Sequence, residues 1–288
     1  MTDLNFYTVA TGKYNIFIVP YIMTALWSNP NSTVEILTNN IKFVTPNLKS
    51  FLNEYFKERW LIKKIPKQFA SWFNHSKKIK SIRWLTQPEI AAKYTYIGDI
   101  DLPTLEDGVL RKHAGHAAFI NRPYSNIVRT GPKQTKKNVT GLHFVCTKEY
   151  YNKLTIKIVQ RFINGITKGS WSISKLDECL LYILIQRFIG LPPKEIYSNR
   201  GAKPWERVLY RPRHGIHMSF GRAVGGWGVT NTWLQRINMF KDSQIWKDSQ
   251  QFVDKKFKQK FSDSTLKKAA MENQKRSEAR RLSRQNKK

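Results

Sequence analysis

In the first third of the chain, short segments with the hydrophobic pattern of strands alternate with longer amphipathic segments. Strand periodicity is found in NFYTVATG, STVEILTNN, SIRWLTQPEI and KYTYIGDIDL. The segments NIFIVPYIMTALWSNP and NLKSFLNEYFKER have the apolar spacing of helices. Strands that alternate with helices at this spacing indicate βαβ units, so we predict an α/β fold with a mostly parallel sheet flanked by helices.

The pattern changes after Pro103. Loops and short helices are predicted first, and then a strand in TGLHFVCT. One helix is predicted in KEYYNKLTIKIVQRFING and another in SKLDECLLYILIQRFIG, with Ser174 as the N-cap of the second. From Gln244 onward the chain is helical and basic, so we predict a globular domain over residues 1–243 and a basic amphipathic tail, partly disordered, over residues 244–288.

The charge of the chain narrows the classes of partner. Among 288 residues, 50 Lys and Arg against 20 Asp and Glu give a net charge of +30. Such a chain attracts polyanions, which include nucleic acid, an anionic membrane surface and phosphorylated substrates. Two cysteines provide no disulfide framework, and no signal-peptide pattern or membrane-spanning apolar run is present. We therefore predict a cytoplasmic protein.

Two carboxylates follow the strand in KYTYIGDIDL. Asp99 and Asp101 are at positions i and i+2 of an extended segment, so both side chains point to the same face. Paired oxygen ligands of this kind suit Mg²⁺ or Mn²⁺, which keep open positions for a substrate phosphate. The alternative interpretation is that the two acids cap the next turn or pair with surface lysines.

Several segments, taken in order, resemble the glycosyltransferases of the GT-A fold. These are YTVATGKY at the first strand, the Asp-x-Asp sequence, GLHFV followed by LDECLLYIL, and RPRHGIHMS. The order is similar to that of bacterial galactosyltransferases of lipooligosaccharide synthesis and, more distantly, of glycogenin, over about residues 5–222. The segment GAKPW departs from the glycogenin pattern, because Ser198 stands where that group has a histidine.

The resemblance implies a metal and donor site. Asp101, Asp99 and a histidine, either His217 or His214, are the implied metal ligands, and an imidazole ligand favours Mn²⁺ over Mg²⁺. The implied donor-binding residues are Thr8, Ala10, Gly12, Tyr14, Arg83, Asp99, Lys203, Gly215 and Arg222. Tyr14 is expected to stack on the nucleotide base and Gly12 to permit close backbone approach. An ordinary strand-ending turn and an exposed strand arginine are the alternatives for Gly12 and Arg83.

Asp177 and Glu178 open an apolar helix and are the candidates for catalysis, by contacting the sugar or accepting a proton. Stabilisation of the helix dipole explains them equally well. The segments after the acid pair offer acceptor-binding candidates, which are His116, Tyr124, Asn126 and Arg129. His113 and His116 are spaced as a zinc pair, but the sequence supplies no further ligands near them.

The basic tail carries aromatic residues at helical spacing. Trp246, Val253, Phe257 and Phe261 line one face among many lysines. This pattern is typical of a helix in an anionic membrane interface, so we expect the tail to associate with a membrane. The alternative is a helix packed on the globular domain.

Together these features predict a metal-dependent glycosyltransferase. It would move a sugar from a nucleotide-sugar donor, a UDP-sugar, to a cell-surface glycan or a lipid-linked acceptor, as a peripheral protein on the inner face of the cell membrane. The alternative function is nucleic-acid binding through the basic, aromatic-rich surface. It is less favoured, because no zinc finger, RNA-recognition signature or helix-turn-helix pattern is present in the sequence.

Overall fold

The computed structural model describes residues 2–73, 76–129, 138–168, 177–192, 215–218 and 231–285. The strands are β1 Thr2–Ala10, β2 Ser32–Thr38, β3 Trp60–Lys64, β4 Ala92–Ile97, β5 Tyr124–Ser125, β6 Val128–Arg129, β7 Asn138–Val139 and β8 His143–Cys146. The α-helices are α1 Ile18–Ser28, α2 Pro46–Phe56, α3 Ser76–Leu85, α4 Val109–Phe119, α5 Thr147–Lys153, α6 Ile156–Thr167, α7 Asp177–Leu184, α8 Asn231–Asp242, α9 Gln244–Asp248, α10 Lys255–Lys260 and α11 Asp263–Gln285. Short 3₁₀ helices span Gly12–Phe17, Lys67–Trp72 and Ser249–Gln251, and a π-helical turn spans Ile185–Ile189.

Six strands form the main sheet, in the order β3-β2-β1-β4-β8-β5. The first four are parallel, β8 is antiparallel to β4, and β5 is antiparallel to β8. The predicted fold class, a mostly parallel α/β sheet flanked by helices, is therefore confirmed. In such sheets the carboxyl ends of the parallel strands lie at one edge, where ligands bind.

Both faces of the sheet are covered by helices. Successive residues of β1, Phe6 and Tyr7, belong to two separate hydrophobic clusters because neighbouring side chains of a strand point to opposite faces. The same division separates Ile36 from Leu37 in β2. Burial on both faces also encloses polar side chains of these strands, such as Asn5, Thr8 and Glu35.

Three assignments from the sequence are corrected. The segment SIRWLTQPEI is not a strand, because its first residues complete helix α3, in which Ile79, Ile82 and Leu85 recur every three residues and are buried. Strand β3 was not predicted, since its short apolar run lies among charged residues. The single helix predicted in KEYYNKLTIKIVQRFING is two helices, α5 and α6, separated by the extended residue Thr155.

The aromatic side chains of the basic tail pack inside the protein. Phe257 and Phe261 are 0% and 1% exposed, and the Phe257 ring lies 6.0 Å from that of Phe17, in the 3₁₀ helix after β1. Trp246 contacts Phe261 at a ring distance of 5.4 Å. The expectation that these rings insert into a membrane is therefore wrong, and their packing supports the turn that follows β1. The domain boundary at residue 243 stays a prediction.

Candidate metal and donor site

Asp99, Asp101 and His217 form one cluster beyond the carboxyl end of β4. Each offers a ligand atom, and these atoms all lie within 4.8 Å of one another. His217 Nε2 is 3.5 Å from Asp101 Oδ1, and the side chains of Asp101 and His217 are 7% and 13% exposed. Two carboxylates and an imidazole, converging at a sheet edge, match the ligand set expected for a divalent cation. Of the two candidate histidines, His217 lies at the acid pair, and His214 is outside the residues that the structure describes.

The segment that contains His217 reaches the acid pair through backbone hydrogen bonds to the residues that follow Asp99. Residues 215–218 lie beside residues 101–104, with an antiparallel bridge between Gly215 and Thr104. The Met218 amide donates to the Asp101 carbonyl at 2.7 Å, and the Ile216 amide donates to the Pro103 carbonyl at 3.3 Å. A β-carbon on Gly215 would lie 1.8 Å from the Pro103 carbonyl oxygen. Gly215 is therefore required for this close approach, and its predicted role in donor binding stays a prediction.

Arg83 connects the acid pair to helix α7. It is on α3, not on a strand, and its side chain is buried. Its guanidinium is ion-paired with Asp99, donates to Asp177 Oδ2 at 2.9 Å, and donates to the Gly98 carbonyl at 2.8 Å. Burial by itself lowers the pKa of Arg83, but the carboxylates of Asp99 and Asp177 outweigh it and raise the pKa. A permanent positive charge is thus held beside the metal-ligand cluster.

The two acids that open α7 have different surroundings. Asp177 is bonded to Arg83 and is thereby linked to the cluster. Glu178 Oε1 accepts a hydrogen bond from the Gly141 amide at 2.9 Å, which fixes the turn before β8. Of this pair, Asp177 is the residue that the structure connects with the metal-ligand cluster. The catalytic role of each stays a prediction.

The donor candidates at the end of β1 surround the same edge of the sheet. Thr8 Oγ1 donates to the Gly98 carbonyl at 2.9 Å, so this buried hydroxyl ties β1 to the acid-bearing loop. Ala10 is the buried last residue of β1. Gly12 has φ +55°, and a β-carbon there would meet no atom within 4 Å, so space lies open beside its backbone. The pKa of Tyr14 is raised by burial and then by the negative charges of Asp101 and Asp99.

Three of the predicted residues, His214, Lys203 and Arg222, lie outside the residues that the structure describes, and their roles stay predictions. One residue near the site was missed by the sequence analysis. Tyr21, in α1, is fully buried, and the pKa of its hydroxyl is raised by burial and then by Asp99. That hydroxyl has no hydrogen-bond partner among the described residues. A tyrosine in an apolar helix resembles any core aromatic, so the sequence carried no signal for it.

The acceptor candidates are mostly in the core. His116 Nδ1 lies 3.0 Å from Ser125 Oγ, and the Tyr124 hydroxyl donates to the Gly190 carbonyl at 3.0 Å. Asn126 is buried and bonded to Thr140 and His143, and Arg129 ends β6. These positions add no support to an acceptor role, which stays a prediction. His113 Nδ1 is 2.8 Å from the same Ser125 hydroxyl, so the two histidines share a hydrogen-bond partner. Among the described residues they belong to no group of three or more metal-ligating side chains.

Buried histidines predict loss of stability in mild acid. Burial lowers the pKa of His116 to about 4 and that of His143 to about 3, from 6.5. Between these values and 6.5 the unfolded chain binds more protons, so the free energy of unfolding falls as the pH decreases below 6.5. We expect a loss of about 3 kcal/mol from His116 by pH 4, measured by urea unfolding from pH 7 to pH 4.

The variant His116→Gln tests the assignment. It removes the titrating group and keeps a polar side chain beside Ser125. The slope of its unfolding free energy against pH should be smaller than that of the native chain. The difference should correspond to the binding of at most one proton. Equal slopes for the two proteins would contradict the assignment.

No protein-family model and no curated protein sequence matches this chain. Solved structures with a similar arrangement include the glycosyltransferase GlyE from Streptococcus pneumoniae TIGR4, at a TM-score of 0.49 and 12% identity, over 86% of this chain and 63% of that one. In its apo form, GlyE is matched over 46% of its length, so the chain spans about half to two thirds of GlyE.

Two further structures are similar at the same distant level. The galactosyltransferase LgtC, in complex with donor and acceptor sugar analogs, matches with a TM-score of 0.47 and 13% identity, over 85% of this chain and 99% of that one. A 4-diphosphocytidyl-2C-methyl-D-erythritol synthase from Anaerococcus prevotii matches with a TM-score of 0.38 and 9% identity, over 65% of this chain and 85% of that one. At these identities the similarity concerns the fold.

Proposed function

We propose that this protein is a metal-dependent glycosyltransferase of the GT-A fold. It would transfer a sugar from a nucleotide-sugar donor, a UDP-sugar, to a cell-surface glycan or a lipid-linked acceptor. The observation that carries the proposal is the convergence of Asp99, Asp101 and His217 beside the buried, doubly ion-paired Arg83. Such a site has carboxylates that would bind a cation and a guanidinium that would add positive charge near a diphosphate, at the carboxyl edge of a parallel sheet.

The residues present fit a divalent cation. Asp99, Asp101 and His217 would hold it, and the imidazole favours Mn²⁺ over Mg²⁺. When bound, the cation supplies Lewis-acid stabilisation of the charge that develops on the diphosphate leaving group.

The side chains of this chain then orient the donor. Arg83 keeps its positive charge at all accessible pH values and is positioned to stabilise negative charge near Asp99. The open space beside Gly12 would admit a ligand close to the backbone, and Tyr14, two residues later, is the ring we assign to the nucleotide base. Asp177, oriented by Arg83, is the acid we assign to contact the transferred sugar or to accept the acceptor proton.

A thermal-shift panel tests the proposed function. The full chain is melted with uridine, guanosine, cytidine and adenosine diphosphates, with UDP-sugars, and with oligonucleotides at low and high salt, each with and without Mn²⁺. We expect an increase in Tm that requires both Mn²⁺ and a uridine nucleotide, because ligands that bind only the folded state stabilise it. Stabilisation by oligonucleotides, with steep salt dependence and no effect of Mn²⁺, would instead favour the alternative of nucleic-acid binding.

Attachment to the inner face of the cell membrane is proposed for the end of α11. Helix α11 is packed through Leu266 and Ala269, whereas residues 274–279 are exposed. Residues 274–288 contain seven Lys and Arg against one Glu. Basic residues near an anionic leaflet each contribute on the order of 1 kcal/mol. None of the helices in the described ranges has the length and hydropathy needed to cross a bilayer.

Truncation after Asn273 tests this attachment. It removes the basic end of α11 and keeps the buried residues Leu266 and Ala269. We expect binding to phosphatidylserine vesicles to weaken by about tenfold or more, with no change for neutral phosphatidylcholine vesicles. Sedimentation with vesicles measures both, and unchanged binding to the anionic vesicles would contradict the proposal.

A further inference from the structure

A cavity of about 310 Å³ lies between the end of α3, strands β2 and β3, and helices α5 and α6. Its lining includes none of Asp99, Asp101, His217, Arg83 and Asp177, so it is separate from the metal and donor site. The volume is at the lower end of the range for sites that bind small molecules. It is one aromatic ring from the donor site, because Trp84 lines it and lies 4.3 Å from the Arg83 guanidinium carbon.

Part of the wall of this cavity is apolar and aromatic. Trp84, Leu37 and Leu154 are almost fully buried beside it. Ile156 also lines the cavity and is 81% exposed, which is unusual for a large aliphatic side chain. An apolar body the size of one or two rings would remove this surface from water.

Charge at the rim selects the polar part of the ligand. Lys63 lines the cavity and is already ion-paired with Glu89. Lys64 also lines it, is exposed, and makes no ion pair with any described residue. Among the cavity-lining residues no side chain is a carboxylate, and Gln87 and Gln160 add amide groups. We propose that this cavity binds a small molecule that combines an aromatic-sized apolar body with one anionic group. The proposal does not depend on the proposed transferase activity.

The test uses 8-anilinonaphthalene-1-sulfonate, which has an apolar body and one anionic group. The probe is titrated into the full chain at physiological salt, without metal or nucleotide, and its own fluorescence is followed. The charge reversal Lys64→Glu is compared with Lys49→Glu, an exposed lysine on α2 that does not line the cavity. Both variants change the net charge equally, so general attraction to a basic protein affects them equally.

We expect saturable binding at one site, weakened about tenfold by Lys64→Glu and less than about twofold by Lys49→Glu. A second isosteric pair is Gln160→Glu, at the cavity, and Gln235→Glu, at an exposed position of α8 that does not line the cavity. Only the first should weaken binding, and this pair decides the question if Lys64→Glu does not fold, as judged by its melting curve. Absence of saturable binding to the native chain, or equal effects within each pair, would overturn the proposal.

Discussion

The variant Asp101→Asn should lose Mn²⁺-dependent turnover of the donor by at least about a hundredfold. Asparagine keeps the shape of the side chain but removes the negative charge from a site where Asp101 is buried and 3.5 Å from His217. The remaining ligands, Asp99 and His217, would hold a cation more weakly, since Asp99 is also engaged by Arg83. Release of uridine diphosphate from a UDP-sugar, with increasing Mn²⁺, measures the effect.

Asp107→Asn provides the matched control. Asp107 lies in the same loop and its side chain is 75% exposed, with Arg236 at 3.7 Å as its ion-pair partner. The same chemical change there should leave turnover within about twofold. If Asp101→Asn retains native turnover and the native melting temperature, the cluster is not the metal site and the proposed mechanism fails.

The variant Gly215→Ala should release His217 from the metal site. The added methyl group would overlap the Pro103 carbonyl oxygen at 1.8 Å and approach its carbon at 2.8 Å, both atoms of the main chain. The segment 215–218 must then move away, which breaks the bond between the Met218 amide and the Asp101 carbonyl. We expect Mn²⁺ affinity to fall by about 10- to 100-fold, as for lost support of a metal ligand.

Titration with Mn²⁺, followed by electron paramagnetic resonance of the free ion, gives this affinity directly. Gly115→Ala is the control, because a β-carbon at Gly115, inside α4, would meet no atom within 4 Å. Alanine there favours the helix by up to about 1 kcal/mol and should leave Mn²⁺ binding unchanged. Native Mn²⁺ affinity in Gly215→Ala would show that His217 is not a ligand, even if the Asp101 prediction holds.

Local sequence signals were sufficient for the strands that build the sheet. Strands β1, β2 and β4 were predicted because each is a short run rich in β-branched and aromatic residues with strand periodicity. The α3 segment was wrongly predicted to be a strand, since a short apolar run is compatible with both the strand period and the helix period until the burial of its residues is known. Arg83 was named as a site residue because it lies close to the acid pair along the chain. The structure has it beside Asp99, but on helix α3 and not on the predicted strand.

The acid pair illustrates what the sequence by itself determined. Two carboxylates at i and i+2, after an apolar strand, predict a shared site at the edge of the sheet if the backbone stays extended. In the structure Asp99 and Asp101 do lie together, but through a turn after β4, in which the Leu102 amide donates to the Asp99 carbonyl at 3.2 Å. The charge of the whole chain and the apolar face of the tail were equally readable, since they depend only on composition and helical period.

Only the tertiary structure decided which distant groups complete these patterns. His217 joins Asp101 through backbone pairing that Gly215 permits, and Arg83 joins Asp99 to Asp177 across three separate elements. Helical spacing shows that Phe257 and Phe261 share an apolar face. A membrane and a protein core both stabilise such a face by removing it from water, so the spacing does not distinguish them. Burial against Phe17 settled the question, because what covers an apolar face is set by contacts between residues far apart in the chain.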